Sequence, residues 1–183
     1  MAAGGPRIID LISKGTFEEL EQYFSKHPEK LNVPMDSQGN DIHELNPPLC
    51  FAAHMANNNQ KNPSYVAKMR SIMKLKADPN LPDSSGCSPL HIAVSHCHVE
   101  SLRALLENSD TKTDLVCPIH IGGPQMTAWA SIQSIIPKLE DNKKDPFLPQ
   151  WKKQSYERSI KGAKECVEMF VEHDRKKCAA AKK

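Results

Sequence analysis

The sequence predicts an all-α fold in which short paired helices stack side by side. Signals for helix starts recur along the chain, and each segment that they open is apolar on one side only. No segment shows sustained alternation of polar and apolar residues, the pattern of a half-buried strand. Helices this short are not stable alone, so we expect their apolar sides to be buried by neighbouring pairs. The length of 183 residues fits one folding unit of this kind.

The first predicted helix pair lies near the start of the sequence. Thr16 and Glu19 have the spacing of a capping box, which predicts a helix beginning at Phe17. The apolar residues that follow fall on one face at helical spacing. Gly15 predicts the end of a preceding short helix over residues 8–13. The chain therefore opens with a helix, a tight turn and a second helix.

The same helix signals recur in the middle of the chain. Ser88 is expected to cap a very short helix with its hydroxyl, and Pro89 fits the first helical position because an N–H there would have no partner. A second helix is predicted to begin near Val99. Further helices are predicted over residues 64–75 and 155–173, each with one apolar face.

A family resemblance comes from residues 83–106. This segment contains the run Ser-Pro-Leu-His-Ile-Ala and closely resembles an ankyrin repeat. Degenerate copies lie on both sides of it. Residues 48–53 look like the opening of an earlier repeat, residues 76–80 look like its end, and residues 126–129 look like the opening of a later one.

The resemblance implies an ankyrin-type solenoid of about four helix-turn-helix repeats joined by short hairpin loops. We expect a single domain over residues 1–177 and a basic C-terminal tail over residues 178–183. The repeats are expected at about 6–35, 36–80, 81–116 and 117–175.

Two polar insertions are expected in this solenoid, because the predicted repeat openings are farther apart than the family period of about 33 residues. One covers residues 57–63, between the helices of the second repeat, and the other covers residues 138–151 in the fourth. A further extension near residues 110–120 would lengthen a hairpin. Such insertions cost little closure entropy and often carry partner contacts.

The resemblance also implies a function. Hairpin tips and first helices of ankyrin-type solenoids form an L-shaped concave surface, so we expect a non-catalytic interaction module that binds a partner protein or peptide there. The candidate contact residues are Ser37, Gln38, Asn40, Asp41, Phe51, His54, Met55, Ser84, Ser85, Ile92, Ser95 and His96. Phe51, Met55 and Ile92 could form an apolar patch with a polar rim, but Phe51 and Ile92 could equally be partly buried between repeats.

A second interpretation places the contacts elsewhere. In a regulatory or assembly subunit, or in an effector exported into a host cell, the insertions and the basic C-terminal helix would meet the partner. Residues 152–183 hold 10 Lys and Arg against 5 acidic residues, so this end could touch an acidic protein, lipid or RNA. Such a run is more often a solvated helix face.

Five residues with side chains that can bind zinc lie close together in the sequence, and they could form a zinc site or have structural roles. They are Cys87, His91, His96, Cys97 and His98. Their spacing matches no standard zinc pattern, and we predict neither a metal nor a cofactor. His91 is expected to bond the Ser88 hydroxyl. Cys97 stands in the turn where the family usually has glycine, so a positive φ there would carry strain.

The sequence offers two pairs of residues that could take part in catalysis. Ser88 with His91, or Cys50 with His54, could pair a nucleophile with a base. Neither pair has a glycine-rich elbow, a set of oxyanion donors or a third orienting group nearby in sequence. The prediction is that the chain is not an enzyme.

Composition narrows the class of partner. Lys and Arg number 24 against 22 Asp and Glu, which gives no overall basic field for nucleic acid. No apolar run approaches a membrane span, and the first residues lack the pattern of a secretion signal. The six scattered cysteines suggest reduced thiols. We expect a cytoplasmic protein, monomeric on its own, whose partner is another protein rather than nucleic acid or a membrane.

Overall fold

The computed structural model describes residues 7–33, 46–118 and 125–180. These ranges form eight α-helices and one two-stranded sheet. In chain order the elements are α1 (Ile8–Ser13), α2 (Phe17–Lys26), α3 (Pro48–Asn58), α4 (Ser64–Lys74), α5 (Pro89–Ser95), α6 (Val99–Leu106), β1 (Val116–Pro118), β2 (Gln125–Thr127), α7 (Ala128–Lys143) and α8 (Gln150–Ala180). A short 3-10 helix, Pro28–Lys30, follows α2.

The helices lie in two rows. Helices α1, α3, α5 and α7 contact one another in that order, and α2, α4, α6 and α8 form the second row in the same order. Each helix also packs against the other member of its pair. The predicted stack of paired helices is therefore confirmed, because each pair buries its apolar side against the next.

One hydrophobic core runs through the stack. Its fully buried side chains come from both rows and from all four helix pairs, and the largest include Ile12, Leu20, Phe24, Leu49, Met69, Ile72, Leu90, Leu102, Leu105, Ile132 and Phe170. Full burial of one such side chain contributes about 1.5–3 kcal/mol. The sum of these contributions holds helices that are individually too short to persist.

The first pair begins as predicted. The Thr16 hydroxyl accepts a hydrogen bond from the Glu19 amide at 3.2 Å, and the Glu19 carboxylate accepts one from the Thr16 amide at 2.9 Å. Both halves of the capping box are therefore present. Helix α1 has the predicted bounds, 8–13.

Side chains of α4 donate hydrogen bonds to the C-terminal end of α1. The Lys68 ammonium is buried and donates to the Ile12 carbonyl at 2.7 Å, and the Tyr65 hydroxyl donates to the Ser13 carbonyl at 3.2 Å. These carbonyls have no partner within α1, since the last turn of a helix leaves its acceptors free. The buried Lys68 ammonium therefore has a hydrogen-bond acceptor, the Ile12 carbonyl, which the neighbouring helix pair supplies.

The start of α5 differs from the prediction. Ser88 occupies the N-cap position, and Pro89 the first helical position, but the Ser88 hydroxyl makes no capping bond. It lies 2.7 Å from Nδ1 of His91 instead. The expected Ser88–His91 bond is confirmed. The expected cap is wrong, since the same hydroxyl is turned toward the His91 ring and accepts from no amide of α5.

A short hairpin precedes α7. Strands β1 and β2 are antiparallel, with Cys117 opposite Met126. The Thr127 hydroxyl then caps α7 by accepting from the Ala130 amide at 3.2 Å. The hairpin extension that the sequence suggests near residues 110–120 is therefore partly a β-strand, Val116–Pro118. Residues 119–124 lie outside the described ranges.

The last pair is much longer than predicted. Helix α7 continues through Pro137 to Lys143, and α8 begins at Gln150 and runs to Ala180. The polar insertion expected over 138–151 is present, but it is helical up to Lys143 and again from Gln150. The chain beyond residue 177, predicted to be a tail, is still helical at 178–180.

The extra length projects beyond the stack. A Cβ added at Gly162 would lie 2.8 Å from the Cys97 carbonyl, so Gly162 marks the point where α8 passes the α5–α6 turn. Residues 150–161 therefore lie past that turn and span about 18 Å. We call residues 137–161 the projecting hairpin. Although α8 is long, only one of its faces is apolar, and within the described ranges no helix has both the length and the apolarity to cross a membrane.

Candidate protein-binding surface

The hairpin tip before α5 is held by one carboxylate. Asp83 Oδ1 accepts hydrogen bonds from the amides of Ser85 at 2.8 Å and Cys87 at 2.9 Å. The Asp83 amide donates to the Cys87 carbonyl at 2.9 Å, and Gly86 supplies the positive φ of 81° that the turn needs. The side chains of Ser84 and Ser85 are exposed on this tip.

The same carboxylate ties the tip to the preceding repeat. Asp83 Oδ2 lies 3.3 Å from Nε2 of His54 on α3, and the Asn46 side-chain oxygen accepts from the Ser84 amide at 3.2 Å. Burial alone would raise the pKa of Asp83, but the hydrogen bonds from His54, Cys87 and Ser85 outweigh it and hold that pKa below its usual value. The tip therefore carries a fixed negative charge.

The predicted contact residues separate into two groups in the structure. His54, Ser84 and Ser85 lie together around the tip, joined through Asp83 as described above. Ser95 and His96 are exposed at the opposite end of α5. The predicted residues do not form one continuous patch but mark the two ends of the α3–α5 surface.

The apolar part of the predicted patch is only partly available. Phe51 and Met55 are partly exposed on α3 and pack against the core with their remaining surface. Ile92 is only 2% exposed, so it cannot contribute a contact. For Ile92 the buried interpretation is the right one, since its helix is covered by α3 on one side and α7 on the other.

Four predicted contact residues lie between α2 and α3 in the sequence. They are Ser37, Gln38, Asn40 and Asp41, and all four fall outside the described residues.

Asn57 links α3 to α5 at the end away from the tip. Its amide nitrogen donates to the Ile92 carbonyl at 2.8 Å and lies 3.3 Å from Nδ1 of His96. Gln60 reaches the His96 carbonyl at 3.4 Å. Asn57 is 4% exposed, so the predicted polar insertion over 57–63 begins with a buried side chain rather than a solvent loop.

His91 is a structural residue in the core. Its Nε2 lies 3.1 Å from the Met126 carbonyl and must carry the proton, since a carbonyl only accepts. Nδ1 of the neutral ring then accepts from the Ser88 hydroxyl. Burial lowers the pKa of His91, although hydrogen bonds to the Met126 and Leu115 carbonyls oppose the shift. This arrangement joins α5 to the β1–β2 hairpin.

The five zinc-type residues do not converge. Across the described parts of the chain no three His, Cys, Asp or Glu side chains are placed to hold a metal ion. Burial raises the pKa of the Cys97 thiol to about 11 and that of Cys166 to about 12. These thiols are therefore protonated and inert near neutral pH.

A second exposed feature was missed from the sequence. Phe147 is 91% exposed and Trp151 is 68% exposed, and both lie at the end of the projecting hairpin. The signal in the sequence is an aromatic pair, with one proline before it and one between its members, inside a polar stretch.

Comparison with protein families gives one match. Residues 49–106 match the model of ankyrin repeats (many copies), a segment that covers α3 to α6. Together with the two-row stack, this match makes the fold an all-α ankyrin-type repeat array. The search of curated proteins finds no match to this chain.

Proposed function

From the ankyrin repeats at residues 49–106, we propose that this chain is a non-catalytic module that binds a partner protein or peptide across the surface of α3, α5 and the tip between residues 83 and 87. Ankyrin repeats usually mediate protein–protein binding. Within this surface the contacts would come from the exposed groups around Asp83 and from Phe51 and Met55.

The observation that carries the proposal is the rigidity of that tip. One carboxylate holds two amides of the tip and a histidine of the preceding repeat, so Ser84 and Ser85 have a fixed position relative to α3. A preformed surface loses little conformational entropy on binding. Loops on a rigid frame are where binding residues are commonly found.

The two nucleophile–base pairs offer little support for catalysis. Ser88 is 3% exposed and bonded to His91, which is itself buried, so no substrate atom can approach that hydroxyl. The Cys50 thiol is buried and donates to the Leu81 carbonyl at 3.2 Å, and burial holds the pKa of Cys50 well above its usual value. These facts support a binding role.

Cys50, Cys97, Cys166 and Cys178 are free thiols. Small proteins in oxidising compartments usually pair their cysteines. These four thiols support a cytoplasmic location as part of the proposal.

The experiment is affinity enrichment from lysate followed by direct binding to the enriched protein. A Met55→Lys, Ser85→Lys double variant changes the proposed surface and leaves every fully buried core residue in place. A Glu100→Ala, Arg103→Ala double variant is the matched control, because both residues are exposed on α6 in the other row. Circular dichroism checks that both variants fold.

We expect the surface variant to weaken binding by at least about tenfold and the control to bind as the wild type does. Equal binding by the surface variant would reject the proposed face.

A further inference from the structure

The end of the projecting hairpin presents two large apolar side chains to solvent. Phe147 lies in the turn between α7 and α8, and Trp151 lies in the first turn of α8. Neither belongs to the hydrophobic core. Two exposed aromatic rings four residues apart on a projection are an unfavourable surface unless something covers them.

The turn that carries Phe147 is held by hydrogen bonds. Asp145 Oδ1 accepts from the Phe147 amide at 2.9 Å, and the Asp145 carbonyl accepts from the Leu148 amide at 3.3 Å. The Pro149 carbonyl accepts from the Lys152 amide at 2.9 Å, which starts α8. The rings are therefore displayed outward by a defined turn.

Ion pairs link the two helices of the projecting hairpin. Lys143 lies 2.9 Å from Glu157 across the two helices, and Lys164 lies 3.0 Å from Glu140 just below. Lys144 pairs with Asp141 at 2.9 Å. Glu140, Asp141 and Glu157 are thus paired within the hairpin, and the Asp145 carboxylate accepts from the Phe147 amide.

A surplus of positive charge remains beside the rings. Lys152, Lys153 and Arg158 form no ion pair with any other residue that the structure describes. Lys152 and Lys153 directly follow Trp151, so two uncompensated cations flank the aromatic pair. A surface that binds the end of the projecting hairpin must therefore offer negative charge next to an apolar layer.

Size argues for a lipid surface over a folded protein. A stable protein interface covers about 800 Å² on each partner, whereas two aromatic side chains bury about 400 Å² at most. A bilayer needs no matching pocket, since lipids close around an inserted ring. Tryptophan and phenylalanine beside lysine are the combination that favours a membrane interface.

We propose that the end of the projecting hairpin docks on anionic lipid bilayers, with Phe147 and Trp151 inserted at headgroup depth and Lys152 and Lys153 against lipid phosphates. This is contact with a membrane surface and requires no spanning segment. It departs from the sequence-based expectation that no membrane is involved.

The test uses the full chain with vesicles of phosphatidylcholine alone or with about one third phosphatidylserine. The protein has two tryptophans, and Trp129 packs edge-to-face on Phe170 with ring centres 5.8 Å apart. A Trp129→Phe background leaves Trp151 as the only tryptophan. Its emission should move to shorter wavelength on vesicles containing phosphatidylserine, and the protein should sediment with them.

Variants separate the two contributions. Replacing both Phe147 and Trp151 with serine should lower vesicle partition by at least about tenfold in sedimentation. Each of Lys152→Gln and Lys153→Gln should lower partition onto anionic vesicles about fivefold. Added salt should also lower this partition.

The matched control is Val33→Ser with Val116→Ser. Both valines are apolar and exposed, at 47% and 54%, but lie outside the projecting hairpin, so partition should not change. Absence of sedimentation with an unmoved Trp151 emission would overturn the proposal and leave the hairpin to a protein partner. Undiminished binding by the Phe147, Trp151 double variant would overturn it as well.

Discussion

Lys76 and Cys97 both adopt left-handed backbone conformations, with φ of 76° and 53°. Each follows a helix that ends there. The Ala77 amide bonds the Ile72 carbonyl, and the His98 amide bonds the Ala93 carbonyl, which closes the last turn in the manner that glycine usually permits. A side chain in this conformation costs about 1–2 kcal/mol. Both turns are therefore strained, and the packing of the helix stack offsets this conformational cost.

Replacing Lys76 with glycine should stabilise the protein. The substitution relieves the left-handed strain, and the greater freedom of glycine in the unfolded chain offsets part of the gain, which leaves about 0.5 kcal/mol net. Urea unfolding followed by circular dichroism measures the change. Lys74→Gly, two residues earlier and inside α4, is the control and should destabilise by about 1 kcal/mol. A loss of stability in both variants would contradict the strain argument.

Stability should fall as the solution is acidified below about pH 6.5. Burial lowers the pKa of His91 and also that of His98, whose Nδ1 lies 2.6 Å from the Ser101 hydroxyl. Between the unfolded and the lowered folded pKa, the unfolded chain binds more protons, so the free energy of unfolding decreases as pH falls. The lowered pKa of Asp83 acts only below about pH 4.

Urea midpoints at about pH 7.5 and about pH 5.5 measure this loss. His91→Asn and His98→Asn should each lower stability at the higher pH and reduce the difference between the two conditions. A wild-type midpoint that does not move between them would show that the buried rings accept protons without cost.

Single positions show where prediction from sequence reaches its limit. The positive φ at Cys97 and the Ser88–His91 bond follow from the repeat pattern and are confirmed. For Ile92 the sequence left exposure and burial open, and Asn57 was expected in a polar insertion, because exposure depends on how closely α3 and α5 approach, which periodicity within one helix does not contain. Burial of a polar group depends on an acceptor far away in sequence.

At the scale of the helix, Gly162 fixes how α8 meets the stack. In an exposed helix, alanine in place of glycine stabilises by about 0.5–1 kcal/mol. Here the added Cβ would meet the Cys97 carbonyl at 2.8 Å, and a backbone atom in a turn has little room to move. We expect Gly162→Ala to destabilise by about 1–3 kcal/mol in thermal or urea unfolding.

Gln154→Ala is the control for this substitution, since Gln154 is exposed on the same helix and its loss should change stability by no more than about 0.5 kcal/mol. An increase in stability for Gly162→Ala would mean that α8 does not approach Cys97.

The lengths of α7 and α8 could not be predicted for a physical reason. A proline at 137 and a polar run after it indicate the end of a helix when read locally. The segment is helical because α7 and α8 pack against each other, and cross-helix ion pairs such as Lys143 with Glu157 add to this contact. Shorter helices with a continuous apolar face, such as α4 and α6, were placed to within a residue or two.

For the molecule as a whole, neighbour order equals chain order. Each pair contacts the pair before and after it, so the architecture follows once the pairs are recognised. The order of the pairs does not determine which side chains are exposed. The exposure of Phe147 and Trp151, for example, follows only from the assembled hairpin.

The most direct test of the stacked arrangement is thermal unfolding, followed by circular dichroism, of a chain that ends at residue 113. It lacks α7 and α8 but keeps the first three pairs. If each pair depends only on its neighbours, this chain should keep the helicity of α1 to α6 and unfold cooperatively at a lower temperature than the full chain. A truncated chain without helical signal at low temperature would show that the pairs share one indivisible core, and would contradict the account.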